Sequence, residues 1–480
     1  HNALNLAKYW SRGEPCPVAF WIGHHPAVLM GTQAKLDLSE QRDPWGERLP
    51  RSVGLWGGVM MLVGTTIGSG IFRVPAIVAE RTGEPVMFIG VWVVGGLLAL
   101  FGALTLAELA AMFPRSGGVL AFLEEGVGPL PAFLFGWSQL VVIRASALGA
   151  ISTIFAEYLG YFIPLTPRAV QLVAAGVIIT VGGLNYIGVR RAAAFMSVAT
   201  LAKYAALVGL VLLAGTSGAG SASHFAPTGV STAMSLVGLA MVSVMWAYDG
   251  WADLTYMAGE VRDPGRTLPR ALILGTLLII LIYVSVNAAY LYLVPMAEMA
   301  DSRLIASAAA DRIPILQGAG GAAIAAVVML STLSSVNGSM MGSPRIFFAM
   351  ADRGLFFKGI ARVSPRFQSP SAAIGLAVAL GVGYVLFNDF QQLADKFVLG
   401  IWPFYIVAVW GAFRLRRLRP DAERPYRMIG FPAVPALFLV AATGMVLNAL
   451  VTDPVNTGIT FAIILAGVPV FYLWFRGGRG

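Results

Sequence analysis

The sequence predicts an all-α polytopic membrane protein, and three observations support this fold class. Hydrophobic residues make up 57% of the 480 residues and charged residues only 12%, about half the charge of a typical soluble domain. Apolar stretches long enough to cross the hydrocarbon core as helices recur along the chain. The Arg and Lys residues are concentrated in alternate loops between these stretches, a pattern typical of membrane proteins that obey the positive-inside rule.

Each apolar stretch is predicted to be a transmembrane helix, because backbone polar groups in lipid must be paired within their own segment. We number the twelve stretches as spans 1 to 12. They cover residues 53–78, 86–112, 129–155, 169–187, 193–215, 231–258, 270–294, 318–343, 371–388, 397–413, 431–450 and 456–475.

The net charge of +9 is assigned to membrane topology. With both termini on one side, most of the 33 Lys and Arg residues fall on that side, so both termini are predicted to be cytoplasmic in a cell membrane. The excess charge then faces anionic lipid headgroups, and no nucleic-acid partner is predicted.

The residues needed for catalysis or metal binding are scarce. Cys16 is the single cysteine, and three of the four histidines precede span 1, which argues against a disulfide framework or a metal site. No P-loop is present to drive an ATP-powered pump. We therefore predict no enzyme activity, no catalytic residue, no metal and no cofactor.

Residues 1–39 differ in character from the rest of the chain. The run Arg12 to Glu14, with Pro15, Pro17 and Pro26 after it, resembles a segment of the prenylated-flavin-dependent aromatic-acid decarboxylases. The matching piece is too short to bury a core. We expect a non-functional fragment from a fusion or misjoined frame, with Met30 as one candidate start, or a disordered tail; residues 40–52 form a cytoplasmic lead-in.

Span 1 contains a glycine-rich interruption at Gly68-Ser69-Gly70. Glycine disfavours helix interiors, and an unwound segment would expose N–H groups at a half-helix N-terminus, which attract a carboxylate. The alternative is that these small residues allow close packing of helices.

Span 6 contains a second interruption at Asp249-Gly250. A carboxylate near the middle of a membrane span costs about 2.5 to 3.5 kcal/mol on insertion scales, so Asp249 is expected to face protein or water. Paired interruptions in corresponding halves of a transporter indicate a substrate site near the membrane midplane.

Several motifs in order give the chain a recognisable resemblance. They are Gly64 to Phe72, Phe113 to Gly118, Gly126 to Phe135, Ala247 to Trp251, Glu260, Asp263-Pro264, Leu268 to Arg270, Pro344-Arg345 and Phe348 to Met350. Over residues 48–475 the chain resembles amino acid permeases of the amino acid-polyamine-organocation superfamily, closest to the L-type and related bacterial branch. The resemblance implies a five-plus-five inverted repeat, residues 53–215 and 231–413, with helices 1 and 6 broken, plus two helices in residues 431–475.

The resemblance also implies a substrate site held largely by backbone groups. The carboxylate of an amino acid is expected on the amides around Ser69 and Gly70, and its ammonium on carbonyls near Thr66, Trp246, Ala247 and Asp249. Ile67 and Gly68, within the same interruption, are also expected to bind the substrate. Trp246 stands where relatives often carry a gating Phe. The alternative for Trp246 is that it only packs the bundle.

Lys203 lies deep in span 5. A lone ammonium at that depth must pair with an acceptor, lose its proton or have a functional role. In sodium-independent relatives a lysine at this position resembles a built-in cation in place of sodium. The resemblance therefore implies sodium independence and a coupling or gating role for Lys203. A structural lysine bonded to backbone carbonyls is the alternative.

Arg144 in span 3 and Asn337 in span 8 are candidate selectivity residues. Some relatives with acidic substrates have an Arg-Pro pair at the first position, whereas Ala145 follows Arg144 here. A fixed bond to a buried acceptor is the more common role for such an arginine, and a bond between helices the more common role for such an asparagine.

Together these features predict a sodium-independent secondary transporter of amino acids that works by exchange or with protons. A polyamine or organocation carrier of the same fold is the alternative within this class, with Asp249 as its anionic group. From other classes, a membrane-tethered decarboxylase fusion and a transport-dead sensor remain open.

Overall fold

The computed structural model describes residues 51–475 except 116, 188–191, 317, 353–357, 365, 366 and 368. The decarboxylase-like residues 1–39 lie outside the described residues, as does most of the lead-in. The described residues form helices and loops and contain no β-strand, which confirms the predicted all-α class.

The α-helices of the described residues are numbered here in chain order. They are α1 (Leu55–Thr66), α2 (Val74–Thr82), α3 (Pro85–Met112), α4 (Val119–Gly126), α5 (Pro129–Ser138), α6 (Arg144–Leu159), α7 (Pro167–Ile187), α8 (Ala192–Thr216), α9 (Met234–Tyr248), α10 (Pro264–Leu293), α11 (Met296–Asp301), α12 (Ile305–Asp311), α13 (Gly320–Asp352), α14 (Ser371–Phe387), α15 (Phe390–Leu418), α16 (Ala433–Thr452), α17 (Pro454–Leu465) and α18 (Gly467–Phe475). Shorter 3₁₀ turns cover Gly70–Phe72, Ala222–Phe225, Asp253–Glu260, Pro314–Leu316 and Lys358–Ala361, and a π-helical segment covers Gln139–Ile143.

Nine helical segments of the described residues are long and apolar enough to cross a membrane. They correspond to predicted spans 2 to 5, 7, 8 and 10 to 12, which confirms a polytopic membrane protein. Predicted span 9 is the shorter helix α14, and spans 1 and 6 are each divided. The number twelve therefore stays a prediction.

Proline and glycine define many of the helix ends. Pro85, Pro129, Pro264 and Pro454 each stand in the first turn of a helix, where the missing N–H removes no helical bond. Gly83 ends α2 with a φ of 60°, a left-handed conformation that glycine adopts without steric cost.

The bundle core forms where helices from the two halves of the chain interlock. α10 packs against α1 and α3, and α3 also packs against α9. α13 packs against α6, α7 and α8, while α6 also packs against α14 and α15. At the centre of the first group, Trp92, Tyr248 and Tyr283 are fully buried and make mutual edge-on or tilted ring contacts.

Candidate functional site

The first predicted interruption is a real break between α1 and α2. Helix α1 ends at Thr66, and Ile67 follows with a non-helical ψ of 85°. The N–H of Gly68 then bonds back to the Thr66 carbonyl at 2.8 Å. Within the described residues, the N–H groups of Ser69 and Gly70 donate to no backbone carbonyl, so this break leaves amide donors available.

The second predicted interruption is also a break. Helix α9 ends at Tyr248, and Asp249 continues with a non-helical ψ of 146°. Gly250 has a φ of 109°, a conformation that residues with a Cβ atom rarely adopt. The chain then resumes as the 3₁₀ turn that begins at Asp253.

The two breaks lie directly against each other, each through a glycine. A Cβ atom added to Gly70 would be 2.9 Å from the Ala247 Cα, and one added to Gly250 would be 2.7 Å from the Thr66 Oγ1. Both distances are too short for carbon in contact with these atoms. The missing side chains therefore allow the backbones to approach, and the structure brings the two interruptions into direct contact.

Tyr283 of α10 contacts both breaks and was missed by the sequence analysis. Its hydroxyl lies 2.9 Å from the Thr66 carbonyl oxygen and 2.8 Å from the Ala247 carbonyl oxygen. Both carbonyls stand at helix ends, where the usual partner four residues on is lost. Tyrosine is common in apolar spans, so the amino-acid sequence gave no signal of this role for Tyr283.

Lys203 of α8 is buried beside the first break, as predicted. Its Nζ donates to the carbonyl oxygen of Ile67, and the neighbouring Tyr204 hydroxyl donates to the Val63 carbonyl at 3.0 Å. Lys203 is only 4% exposed. The contact is compatible both with a built-in cation and with a structural lysine bonded to a backbone carbonyl.

Trp246 covers the junction of the two breaks. Its ring makes edge-on contacts with Phe397 at 4.8 Å and Phe390 at 6.2 Å between centroids. Its Cδ1 would be 3.2 Å from a Cβ atom on Gly70. The side chain thus packs the bundle and also lies at the break, so packing and gating are compatible roles.

Ion pairs fix the α2 side of the first break to other helices. Arg73 Nε lies 2.8 Å from Glu157 Oε2 of α6, and the Tyr158 hydroxyl donates to the Phe72 carbonyl at 2.8 Å. Arg81 Nη2 lies 3.1 Å from Asp395 Oδ2 of α15. These contacts tie this side of the first break to α6 and α15.

Arg81 is buried in the last turn of α2. The helix continues to Thr82, four residues past the predicted end of span 1, and Arg81 is 7% exposed. Its guanidinium also bonds to Ser243 Oγ of α9 at 2.6 Å, so burial is compensated by hydrogen bonds and a carboxylate.

Arg144 lies within electrostatic range of two carboxylates, Asp249 and Asp253. Asp253 was not among the predicted site residues. Arg144 follows the π-helical segment Gln139–Ile143, a deviation that is frequent at functional sites. All three charged residues are half-buried, and within the described residues the Arg144 Nε and the Asp249 Oδ1 lack hydrogen-bond partners.

Asn337 bonds between helices. Its Oδ1 accepts from Asn185 Nδ2 of α7 at 2.9 Å, and its Nδ2 contacts the Met341 sulfur at 3.6 Å. No hydrogen bond joins it to either break in the part of the chain that the structure describes. Among the same residues no group of three potential metal ligands is found.

A multi-pass helical membrane protein whose two broken helices meet inside the bundle has the architecture of a membrane transporter. A family model described as "Amino acid permease" matches residues 53–473. The chain therefore belongs to the amino acid permease family, which confirms the resemblance found in the sequence. Permeases are transporters, so the prediction of a non-enzymatic protein is confirmed as well.

Similar proteins cover nearly the whole chain. The cystine/glutamate transporter of Homo sapiens is 32% identical over 480 residues, covering 96% of this chain and 95% of that protein. The b(0,+)-type amino acid transporter 1 of Mus musculus is 30% identical, covering 89% and 88%. The serine/threonine exchanger SteT of Bacillus subtilis is 28% identical, covering 88% and 97%.

Proposed function

We propose that this protein is a sodium-independent secondary transporter of amino acids, with a midplane site formed by the two breaks. The observation that carries the proposal is the reciprocal contact of Gly70 with Ala247 and of Gly250 with Thr66. It brings unpaired amides and helix-end carbonyls together inside the bundle. The relatives named above transport or exchange amino acids, which supports the same substrate class.

The inverted repeat is part of this proposal, and the helix packing supports it. If the two halves share one fold, each contact between them has a counterpart in which every span is replaced by the span five places away. The contact of α3 with α9 (spans 2 and 6) then corresponds to that of α10 with α1 (spans 7 and 1). Likewise, the contact of α8 with α13 (spans 5 and 8) corresponds to that of α15 with α6 (spans 10 and 3). In the same way, the contact of α7 with α13 (spans 4 and 8) corresponds to that of α14 with α6 (spans 9 and 3). All six contacts occur, as expected for two halves with the same fold. Twelve spans, cytoplasmic termini and a location in the cell membrane complete the proposed topology.

In this proposal the carboxylate and the ammonium of the substrate bind to different backbone groups. The carboxylate binds the N–H groups of Ser69 and Gly70, and the ammonium binds carbonyls at Thr66, Ala247 and the neighbouring helix ends. Exposed amides favour an anion and exposed carbonyls a cation. Trp246 covers the bound molecule and gates its release.

Lys203 takes the place of a coupling ion in the proposed mechanism. Its ammonium reaches Ile67, which lies in the unwound segment where a bound sodium ion would otherwise help to neutralise carbonyls. The relatives include a named exchanger, which favours exchange of one amino acid for another over proton coupling.

Arg144 is proposed to act as the fixed counter-charge of Asp249 and Asp253 rather than as a free ligand for an anionic side chain. Replacing it (Arg144→Leu) leaves two facing carboxylates without a cation. We expect uptake of neutral and acidic amino acids to fall together by about tenfold or more, because an unpaired buried charge costs several kcal/mol.

Uptake of a neutral amino acid and of glutamate into proteoliposomes tests this role. The double variant Arg144→Leu with Asp253→Asn should recover part of the activity, since it removes one of the unbalanced charges. Selective loss of glutamate uptake would instead make Arg144 the ligand of an anionic side chain.

A carrier of polyamines or other organic cations is a second candidate. The observation that favours it is Asp253, which places a second acidic side chain near Asp249 and Arg144. An organic cation is the complementary ligand for such a cluster.

Uptake into proteoliposomes from an amino-acid and polyamine panel tests the proposed function. Sodium, the pH gradient and internal amino acid are varied separately. We expect amino-acid uptake that rises with internal amino acid and is unchanged when choline replaces sodium. Absence of amino-acid transport under every condition would refute the function, and sodium dependence would refute the role of Lys203. Polyamine uptake alone would select the second candidate.

A further inference from the structure

We propose that Tyr283 is a positioning residue of the substrate site, which holds the two breaks at the spacing that an amino group requires. The inference deepens the proposed function and rests on the site assigned there. Tyr283 belongs to neither broken helix. It acts from α10, which packs against both α1 and α3.

The hydroxyl of Tyr283 bridges the ends of two half-helices that are far apart in the sequence. The Thr66 carbonyl ends α1 and the Ala247 carbonyl lies one residue before the end of α9. Both lie within 2.9 Å of the same oxygen atom. Their mutual distance is therefore set by a side chain that touches both.

The Tyr283 hydroxyl has one proton to donate, but two carbonyl acceptors lie within reach of it. The Thr66 carbonyl has a second donor, the Gly68 N–H at 2.8 Å, whereas no other donor reaches the Ala247 carbonyl within the described residues. The proton of Tyr283 is therefore best used on Ala247. The remaining contact between the Tyr283 oxygen and the Thr66 oxygen lacks a proton, and an ammonium with three donors is the group that would complete it.

Packing holds the Tyr283 ring in place, so its hydroxyl has a fixed position. The residue is fully buried, and its ring contacts Tyr248 at 5.0 Å and Trp92 at 5.7 Å between centroids. Tyr248 is in turn anchored by its hydroxyl, which donates to the Trp92 carbonyl at 3.0 Å. A rigid hydroxyl can set a spacing, which a mobile one cannot.

The variant Tyr283→Phe removes the hydroxyl and keeps the ring. Without a donor between them, the two carbonyl oxygens repel and the breaks separate. Tyr290→Phe is the matched control, because Tyr290 lies on the same helix, is also fully buried and has a hydroxyl without a hydrogen-bond partner among the described residues. A general effect of deleting a buried hydroxyl from α10 would appear in both variants.

The first measurement requires no substrate. In a Cys16→Ser background, a cysteine introduced by Ser69→Cys reports how open the first break is, since Ser69 is 4% exposed. We expect Tyr283→Phe to accelerate its alkylation by a membrane-permeant maleimide about tenfold, the effect of losing one hydrogen bond. Tyr290→Phe should leave the rate unchanged.

The second measurement asks whether the spacing serves the amino group. The best substrate of the panel and its deaminated acid compete for uptake, and the ratio of their inhibition constants measures recognition of the ammonium. We expect this ratio to fall about tenfold in Tyr283→Phe and to stay at the wild-type value in Tyr290→Phe.

An unchanged alkylation rate in Tyr283→Phe, or an equal change in both variants, would overturn the inference even if wild-type protein transports amino acids. Conversely, a wild-type protein that transports none would refute the proposed function, while the alkylation result would still decide whether Tyr283 positions the breaks.

Discussion

The substitution Gly70→Ala is expected to abolish transport, whereas Gly68→Ala, two residues away in the same break, is expected to retain most of it. A Cβ atom on Gly70 would lie 2.9 Å from the Ala247 Cα and 3.1 Å from the Ala247 Cβ. The first of these neighbours is backbone, so the clash can be relieved only by moving one broken helix away from the other. Among the described residues, a Cβ atom on Gly68 would have a single neighbour within 4 Å, the Thr66 oxygen at 3.8 Å.

The two alanine variants add the same methyl group, but the neighbours that this group would meet are different. Both remove one glycine from the same unwound segment and add the same methyl group, so a general stiffening of the segment would affect both. Displacing the breaks by a fraction of an ångström in the Gly70 variant misplaces amides and carbonyls together, and misplacement on the order of 1 Å costs about a hundredfold in comparable sites. We expect uptake by Gly70→Ala below about 1% of the wild-type rate.

Initial uptake rates in proteoliposomes, normalised to inserted protein, measure the difference. Size-exclusion profiles of both purified variants serve as the control for folding. If Gly68→Ala lost as much activity as Gly70→Ala at equal insertion, glycine flexibility would explain the break and the close contact with Ala247 would have no role in transport.

Much of this site was predictable because its signals are local. Gly68, Gly70 and Gly250 are unfavourable inside helices, so their occurrence in apolar spans indicated breaks at the correct positions. Lys203 was predictable for a similar reason, since a lone cation in an apolar span must find a partner. Its contact with Ile67 matches the predicted place beside the first break.

Other residues of the site could not be predicted, because their roles arise from contacts between distant segments. Tyr283 looks like any tyrosine in a membrane span until its hydroxyl is seen to reach the Thr66 and Ala247 carbonyls. Outside the candidate site, Glu108 is a similar case: it is 1% exposed and accepts from Arg416 Nη2 at 2.5 Å and from the Met428 N–H at 2.8 Å. Glu108 and Arg416 are 308 residues apart in the chain, so the sequence gives no sign of their pairing.

Backbone groups at helix ends inside a bundle lack partners within their own helix and need hydrogen-bond partners from neighbouring helices. This need explains why charged and hydroxyl side chains lie beside the breaks. Two carbonyls at the end of α1 each receive a side-chain donor, Val63 from Tyr204 and Ile67 from Lys203, and the Tyr283 hydroxyl lies 2.9 Å from a third, that of Thr66. Broken helices are stable in an apolar environment when neighbouring helices satisfy the freed backbone groups. The same donors are suited to exchange with a substrate.

Replacement of Lys203 by methionine is expected to lower uptake by at least tenfold without creating sodium dependence. Methionine fills a similar volume, so packing is largely kept. The Ile67 carbonyl, however, loses the ammonium that it accepts from, and an unsatisfied buried acceptor costs about 1 to 3 kcal/mol. Since Ile67 belongs to the unwound segment, this cost falls on the geometry of the proposed carboxylate site.

A second buried lysine provides the matched control for this change. Lys396 of α15 is 6% exposed, and its Nζ lies 3.3 Å from Asn456 Oδ1, with no bond to either break within the described residues. Lys396→Met therefore removes a buried cation whose partner is a side chain, and it should retain uptake within about threefold, as expected for the loss of one modest hydrogen bond. Equal losses in the two variants would make Lys203 a structural lysine, whereas a loss confined to Lys203→Met, in sodium and in choline alike, assigns the built-in cation to the transport cycle.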